Sequence, residues 1–548
     1  MSVHISKPCF SLWTKLVVVE QRGGTVTDSG SVRTRSITRI RRGRTAGAFA
    51  SVVVLLAVSG CSVAGGDPIG EGPGTLRVVL PEEPPTLEPC DASLTATGRV
   101  TRANITEALT ERDPSTGRLE QALATKWTRN SPTSWTFTLR EGVRFHDDSP
   151  FTAEAAAFSI KRATDSDIDC NVDGYIFTES KITAKAVDDT TLEVTTAEPD
   201  PILPLRLSFV EIVPPSTDPD SRVREPVGTG PYRIDEWSQG RFLRLKRFSG
   251  YWGETPDYAA AKYVWRAEGS VRAAMVTNNE ADVAIGLAPE DGAGDRAVEF
   301  TTNEVSYLRM DATKAPLDDV RIRRAINYAV DREGLVTAVF SGRPSGQLVS
   351  KGVTGYNPRV KPWPYDPKRA KRLVAEARAD GVPTDTTITI IGRTGIYPKA
   401  AEAMEVVQDG LLKAGLKVKI KMLDVNAWLE YLLRPFPKGI GPTLLQAQHG
   451  NQAGDAAFTM GQIYGSKGAQ SSYGTPELDA LTKQAQLASG DKRQKAFADA
   501  FAHQNDEVVR DAVMANMTGI LALSSNVRYR PDSATNDEMR LSDMRRAD

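Results

Sequence analysis

Cysteine and histidine are both scarce, at four each in 548 residues. No Cys-x-x-Cys pair and no cluster of histidines occurs, which removes the ligand spacings of zinc and redox centres, so no metal and no cofactor is expected. There is no Gly-x-Ser-x-Gly elbow, no His-Glu-x-x-His helix and no glycine-rich phosphate loop ending in Lys-Ser/Thr. An enzyme is therefore not expected, with a secreted hydrolase as the remote alternative. No apolar run reaches the roughly 20 residues that span a bilayer. Nor is there an excess of one charge: 68 Lys/Arg stand against 69 Asp/Glu, and a nucleic-acid partner is not expected. What is present, 40% hydrophobic and 7% aromatic residues, suits a folded chain of two or three units.

The charge is unevenly placed. Residues 1–60 hold nine Lys/Arg and two Asp/Glu, which leaves 59 against 67 in the remainder, a formal charge of -8. Arg33, Arg35, Arg39, Arg41, Arg42 and Arg44 precede the apolar run AGAFASVVVLLAV, and small residues lead to Cys61. That is the order of a signal peptide, and VSGC resembles a bacterial lipobox, so Cys61 is the expected lipidation site. Residues 1–31 add nothing a signal needs, and translation starting near Val32 is one reading. Export by the general or the twin-arginine route stays open, as does an ordinary secretory signal with an incidental cysteine. Residues 62–74, SVAGGDPIGEGPG, cannot bury a core and form a flexible tether.

The two cysteines that remain in the body, Cys90 and Cys170, are expected to pair in an oxidising compartment; two buried free thiols are the alternative. Along the body, WTFTLR alternates at Trp135, Phe137 and Leu139, and LEVTT does so at Leu192 and Val194, the period of half-buried strands. Ile322, Ala325, Ile326, Ala329 and Val330 follow helical spacing, with Arg321, Arg323 and Arg324 expected on the opposite face. Asp366-Pro367 opens a second helix that buries Ala370, Leu373, Val374 and Ala377 before Gly381. A strand over 387–391, a helix with Ala400, Met404, Val407 and Leu411, and a strand with Val418, Ile420 and Met422 follow. This β-α-β succession places the protein in the α/β class.

Six segments then occur in order: TLRVVLPEEPPTLEP, NITEALTERDPSTGRLEQALATKW, WTFTLREGVRFHDDSPFTAEAAAFSIKRA, GTGPYRIDEW, YWGETP and DDVRIRRAINYAVDRE. Together they resemble the family 5 extracellular solute-binding proteins, the oligopeptide, dipeptide and nickel receptors of ABC importers. The resemblance implies a type II, cluster C-like periplasmic-binding-protein fold of two lobes with an extra small domain and the ligand at the hinge cleft. Lobe I would gather 75–108, 206–300 and 516–548, the extra domain 109–205, and lobe II 301–515. It also implies a monomeric receptor, exported and lipid-anchored to the outer face of the cell membrane, that closes over a small solute and delivers it to ABC permease subunits. Most motif residues read as structural, including Gly228, Gly230, Tyr251, Trp252 and His146, where the family's usual His-Asp-Gly turn is altered by Asp148 and Ser149.

Candidate ligand contacts lie on loops after the lobe II strands, where hinge clefts place polar groups and aromatic faces: Arg393, Tyr397, Trp428, Tyr431, Gln448 and His449. Peptide-binding members carry an acidic residue for the peptide's α-ammonium group in the segment that LLQAQHGNQAGDAAF resembles. Anchored on Phe458, that position is Asn451, and Asp455 is the nearest acid, four residues later. An amide in place of a carboxylate gives up the ion pair. An oligopeptide is the expected cargo, with a sugar, glycoside or metal chelate, or a surface sensor of the same fold, as alternatives. His146, His449 and His503 show no clustered spacing that would favour nickel.

Overall fold

The computed structural model describes residues 74–547 apart from 166, 169, 178–180 and 535–537. The signal segment, the lipidation site Cys61 and nearly all of the tether lie outside the described residues. The body is built on one eleven-stranded mixed sheet. From one edge the strands run Val418–Leu423, Ile388–Arg393, Thr443–His449, Ala297–Met310, Asp511–Leu523, Val283–Ala284, Thr75–Leu80, Ala260–Trp265, Phe242–Arg247 and Tyr232–Ser238, with Gly342–Pro344 added beside Asp511–Leu523.

Two long strands hold the halves together. Ala297–Met310 and Asp511–Leu523 pair antiparallel from Ala297 opposite Ala522 to Arg309 opposite Asp511, with a break where Thr301 faces Thr518 and Val305 faces Asn516. Side chains cross the gap in place of ladder bonds: the Thr302 hydroxyl donates to the Met517 carbonyl at 2.9 Å, and the Asn516 amide donates to the Thr302 carbonyl at 3.2 Å. An interrupted ladder bends more readily than a paired one. The lobe boundaries expected near 300 and 516 fall inside these two strands, beside the break.

Beyond the break, alternation sorts the strand residues onto two helical layers. Ile388 and Ile390 join the core under the helices Val320–Ala329, Pro367–Ala379 and Ala400–Lys413. Ile391 and Leu445 face a second core with Trp428, Phe497 and Phe501. Ile388–Arg393 pairs parallel with both Val418–Leu423 and Thr443–His449. The β-α-β order read from the sequence is present, and the Asp366 carboxylate accepts from the Arg369 N–H at 2.9 Å as the helix cap. One expectation is corrected. Arg323 does not sit on the polar face with Arg321; it is 5% exposed and donates to the carbonyls of Leu317, Asp318 and Val508. Carbonyls in the turn before its own helix and at the end of Gln504–Val508 recruit it inward.

On the other side of the break, Leu76, Val78, Tyr232, Leu243, Leu245 and Tyr263 form one face of the sheet core. Val79, Val264 and Ala284 face the helix Gly269–Thr277. A separate four-stranded antiparallel sheet, in the order Ala124–Ser131, Ser134–Leu139, Thr191–Thr196 and Ile182–Ala186, packs on the helix Ala153–Thr164. Cys90 and Cys170 are joined by a disulfide, with Cα atoms 5.3 Å apart, which ties this small sheet's helix region to the segment after the first strand.

Three of the sequence motifs meet at one buried carboxylate. Glu107, from NITEAL, accepts from the Thr229 hydroxyl at 2.8 Å, the Trp252 indole N–H at 2.9 Å and the Tyr251 hydroxyl at 3.1 Å. Burial pushes its carboxyl up to about 7 despite these donors. The Gly-Thr-Gly loop has to lie against the chain of that same motif. A Cβ on Gly228 would come within 2.1 Å of the Ile105 carbonyl oxygen. His146 holds the loop from the other side, accepting at Nδ1 from the Gly228 N–H at 3.3 Å and so donating from Nε2 to the Gly230 carbonyl at 2.9 Å. Its lowered pKa, about 4 through burial, keeps it neutral.

Candidate functional site

The break in the long strands opens into a cavity of about 220 Å3. Its floor is the hinge itself: Phe300, Thr302 and Glu304 from one strand, Met517 to Leu521 from the other. Gly519 stands opposite Phe300 in the ladder, and a Cβ there would lie 2.5 Å from the Phe300 ring. Glycine is what lets the ring lie across the strand pair. One wall comes from the first half through Arg99 and the segment Ile285 to Leu287, another from Tyr529, Asp532, Glu538 and Met539 near the chain end, and the opposite wall from Ile396, Tyr397, Pro398 and Gln448. The cavity is therefore assembled from both halves.

Its polar groups differ in how far they are already satisfied. Glu538 is held by Arg102 at 3.1 Å and Arg540 at 2.9 Å, and the opposing charges keep its carboxyl low against the cost of burial. Asp532 caps its own turn through the Ala534 N–H at 2.7 Å. The Tyr397 hydroxyl accepts from Gln446 at 2.8 Å and from Ser306 at 3.2 Å, and its ring packs edge-on against Phe340 at 5.3 Å. That side chain is rigidly placed. Glu304 accepts from the side-chain amide of Gln448. Burial raises its pKa, and the positive charge of Arg99 opposes the rise.

Of the eight ligand contacts expected from the sequence, the cavity wall contains Tyr397 and Gln448. The other six have structural engagements. Asp455 is 1% exposed, accepts from Arg493 at 2.7 and 2.8 Å and caps the helix Ala456–Thr459 through the Ala457 N–H. A carboxylate so paired cannot also receive a ligand cation without abandoning a buried guanidinium. Asn451 is 1% exposed and donates to the Thr459 hydroxyl at 3.0 Å, the same hydroxyl that His449 contacts at 2.9 Å. Burial lowers the His449 pKa to about 4, so it is a neutral packing residue. Trp428 is a core residue whose indole donates to the Gln446 carbonyl at 2.9 Å. Arg393 lies over the Trp428 ring at 5.4 Å, and Tyr431 is half-buried beside Lys421 at 5.7 Å.

Arg99, Phe300 and Glu304 also line the cavity, and no motif in the sequence marks them. A signal for Glu304 was available: within EFTTNEVSYLRM an acid interrupts the run into the most buried part of a strand, and charged groups there need a reason. Its significance was hidden because a strand pattern does not say where the ladder breaks. One ion pair and one longer-range electrostatic interaction cross between the halves. Lys399 Nζ lies 3.3 Å from Glu290 Oε1, and Glu82 acts electrostatically on Arg393 from the opposite half.

Residues 118–473 match the family described as bacterial extracellular solute-binding proteins, family 5 middle. The glutathione-binding proteins GsiB of Shigella boydii and of Escherichia coli O157:H7 are each 28% identical over 405 residues, 70% of this chain and 76% of theirs. Among solved structures, the ABC transporter substrate-binding protein CtaP of Listeria monocytogenes superposes with a TM-score of 0.75 at 21% identity, over 86% of this chain and 99% of that one. The periplasmic binding protein DppA of Helicobacter pylori, in complex with the peptide STSA, gives 0.70 at 21% identity, over 86% and 98%. These structural likenesses are of fold, a two-lobed mixed α/β architecture.

Proposed function

Because the chain belongs to the family 5 bacterial extracellular solute-binding proteins, we propose that it captures a short peptide in the hinge cavity by closure of the two lobes and presents it to an ABC permease. The observation that carries this reading is the cavity assembled from both halves where the long strands lose their ladder between Thr301 and Val305. A solute bound there contacts both lobes only in the closed arrangement, so its binding energy favours closure. The cavity is about 220 Å3, and the same break borders a second space of about 650 Å3 through Thr301, Thr302, Asn303 and Asn516; a cargo of two or three residues is the one proposed. The named ligands of relatives, glutathione and a tetrapeptide, support a peptide-like solute. Anchoring through lipid on Cys61 is part of the proposal, supported by the lipobox-like VSGC after an apolar run. Two acyl chains would hold the receptor at a membrane where one binds only marginally.

The test is capture. The purified full chain, exposed to defined pools of di- and tripeptides, glutathione and neutral sugars, is examined by native mass spectrometry and small-angle scattering. Retention of a short peptide together with a smaller radius of gyration is expected. A well-folded protein that retains none of these solutes would defeat the receptor reading.

A further inference from the structure

We propose that Glu304, on the hinge strand, is the residue that receives the solute's primary ammonium group, in place of an acid on the loop after Thr443–His449. The inference rests on the peptide-receptor reading above and narrows it to solutes with a free amine. Three observations converge. First, the loop position is an amide, Asn451, sealed at 1% exposure and committed to Thr459. Asp455 is consumed by Arg493 and its own helix cap. Neither presents a charge to the cavity. Second, Glu304 does line the cavity, and the polar contact found for its carboxylate is the neutral amide of Gln448. Glu538, lining the same cavity, has two guanidinium partners. Among the described residues that carboxylate of Glu304 has this amide and the electrostatic influence of Arg99 but no salt bridge, and a ligand ammonium supplies the ion pair that a carboxylate withdrawn from water calls for.

Third, the placement couples recognition to closure. Glu304 follows Thr302 and Asn303 in the ladder gap, and its own N–H is held by the Thr302 hydroxyl at 3.2 Å. A solute whose ammonium docks on it sits on the hinge floor between the halves, with Gln448 and Tyr397 lining the cavity on one side and Arg99 on the other. With Arg99 within electrostatic reach of Glu304, the cavity offers charges of both signs.

The experiment is a cycle of two changes, one on each partner. Calorimetry on the full chain compares dialanine and trialanine with their N-acetyl forms, for the natural sequence, Glu304→Gln and Glu304→Asp. Loss of a buried charge-assisted contact is expected to weaken binding of the free-amine peptide about 10- to 100-fold in Glu304→Gln. Acetylation should weaken binding to the natural protein by a similar factor. The variant should no longer distinguish free from acetylated peptide, and Glu304→Asp should recover part of the preference, which a merely structural role would not produce. A preference for the free amine that survives in Glu304→Gln at full size overturns the assignment, as does equal binding of both forms to the natural protein, while either outcome leaves the peptide-receptor reading intact. Retention of only neutral sugars would sink both.

Discussion

Glu107 and His146 lie within the motifs that unite the fold, and burial favours the neutral form of both. Glu107, at about 7 in the folded protein against an ordinary 4.5, keeps its proton while the unfolded chain loses it. Its contribution is present below pH 4.5 and is lost as pH rises through 7. His146 and His449, both near 4 against 6.5, act in the other direction: the unfolded chain takes up protons first, so stability falls as pH drops from 6.5 toward 4. Glu107→Gln removes one of the two opposed effects. Urea unfolding of this variant should therefore show stability rising more steeply between pH 5 and 7.5 than in the natural protein, and an unchanged slope would contradict the assignment. Asp455 makes a sharper case. With Arg493 paired to it at 2.7 Å and both side chains under 5% exposed, Asp455→Asn is expected to cost about 3 kcal/mol of stability by leaving a buried guanidinium uncompensated. Peptide affinity in the folded fraction should hardly change.

At the scale of elements, much was legible beforehand. The helix opening at Asp366-Pro367 and the strands around Ile390 and Ile420 follow from periodicity and capping, because neighbours three or four residues apart decide them. The same local logic failed for Arg323, whose direction is set by carbonyls from Leu317 and, far along the chain, Val508. The disulfide is an element-level device too. Cys90 and Cys170 are separated by 80 residues, and in the chain-entropy view the crosslink stabilises by roughly 4 kcal/mol. Reduction with alkylation should lower the urea midpoint accordingly, without changing the far-UV spectrum at low denaturant.

The whole molecule depends on two strands that pass from one lobe to the other and lose their pairing between Thr301 and Val305. Phe300 covers the cavity floor because Gly519 has no side chain. Gly519→Ala should push the ring toward the solute. Since the obstructed atom is the tip of a side chain that can turn, folding should survive while peptide affinity falls about tenfold, or ~1.4 kcal/mol, measured by calorimetry beside a melting curve. If affinity is untouched, the cavity floor has been misplaced. The cross-cleft pair Lys399 and Glu290, both well exposed, is a surface contact of the kind that contributes little.

The fold class, the order of the motifs, the family resemblance and the pairing of the two body cysteines could be read from the chain alone, because each depends on local periodicity, on short segments in a definite order, or on a count that leaves few choices. Which polar groups face the cavity could not. Asp455, His449 and Asn451 looked available in the sequence and are occupied by Arg493 and Thr459. Glu304 looked like one charge in a strand, and it gains its place only because the ladder opens beside it. Site chemistry is a matter of which groups remain unpaired after packing, and pairing is settled by residues distant in the sequence.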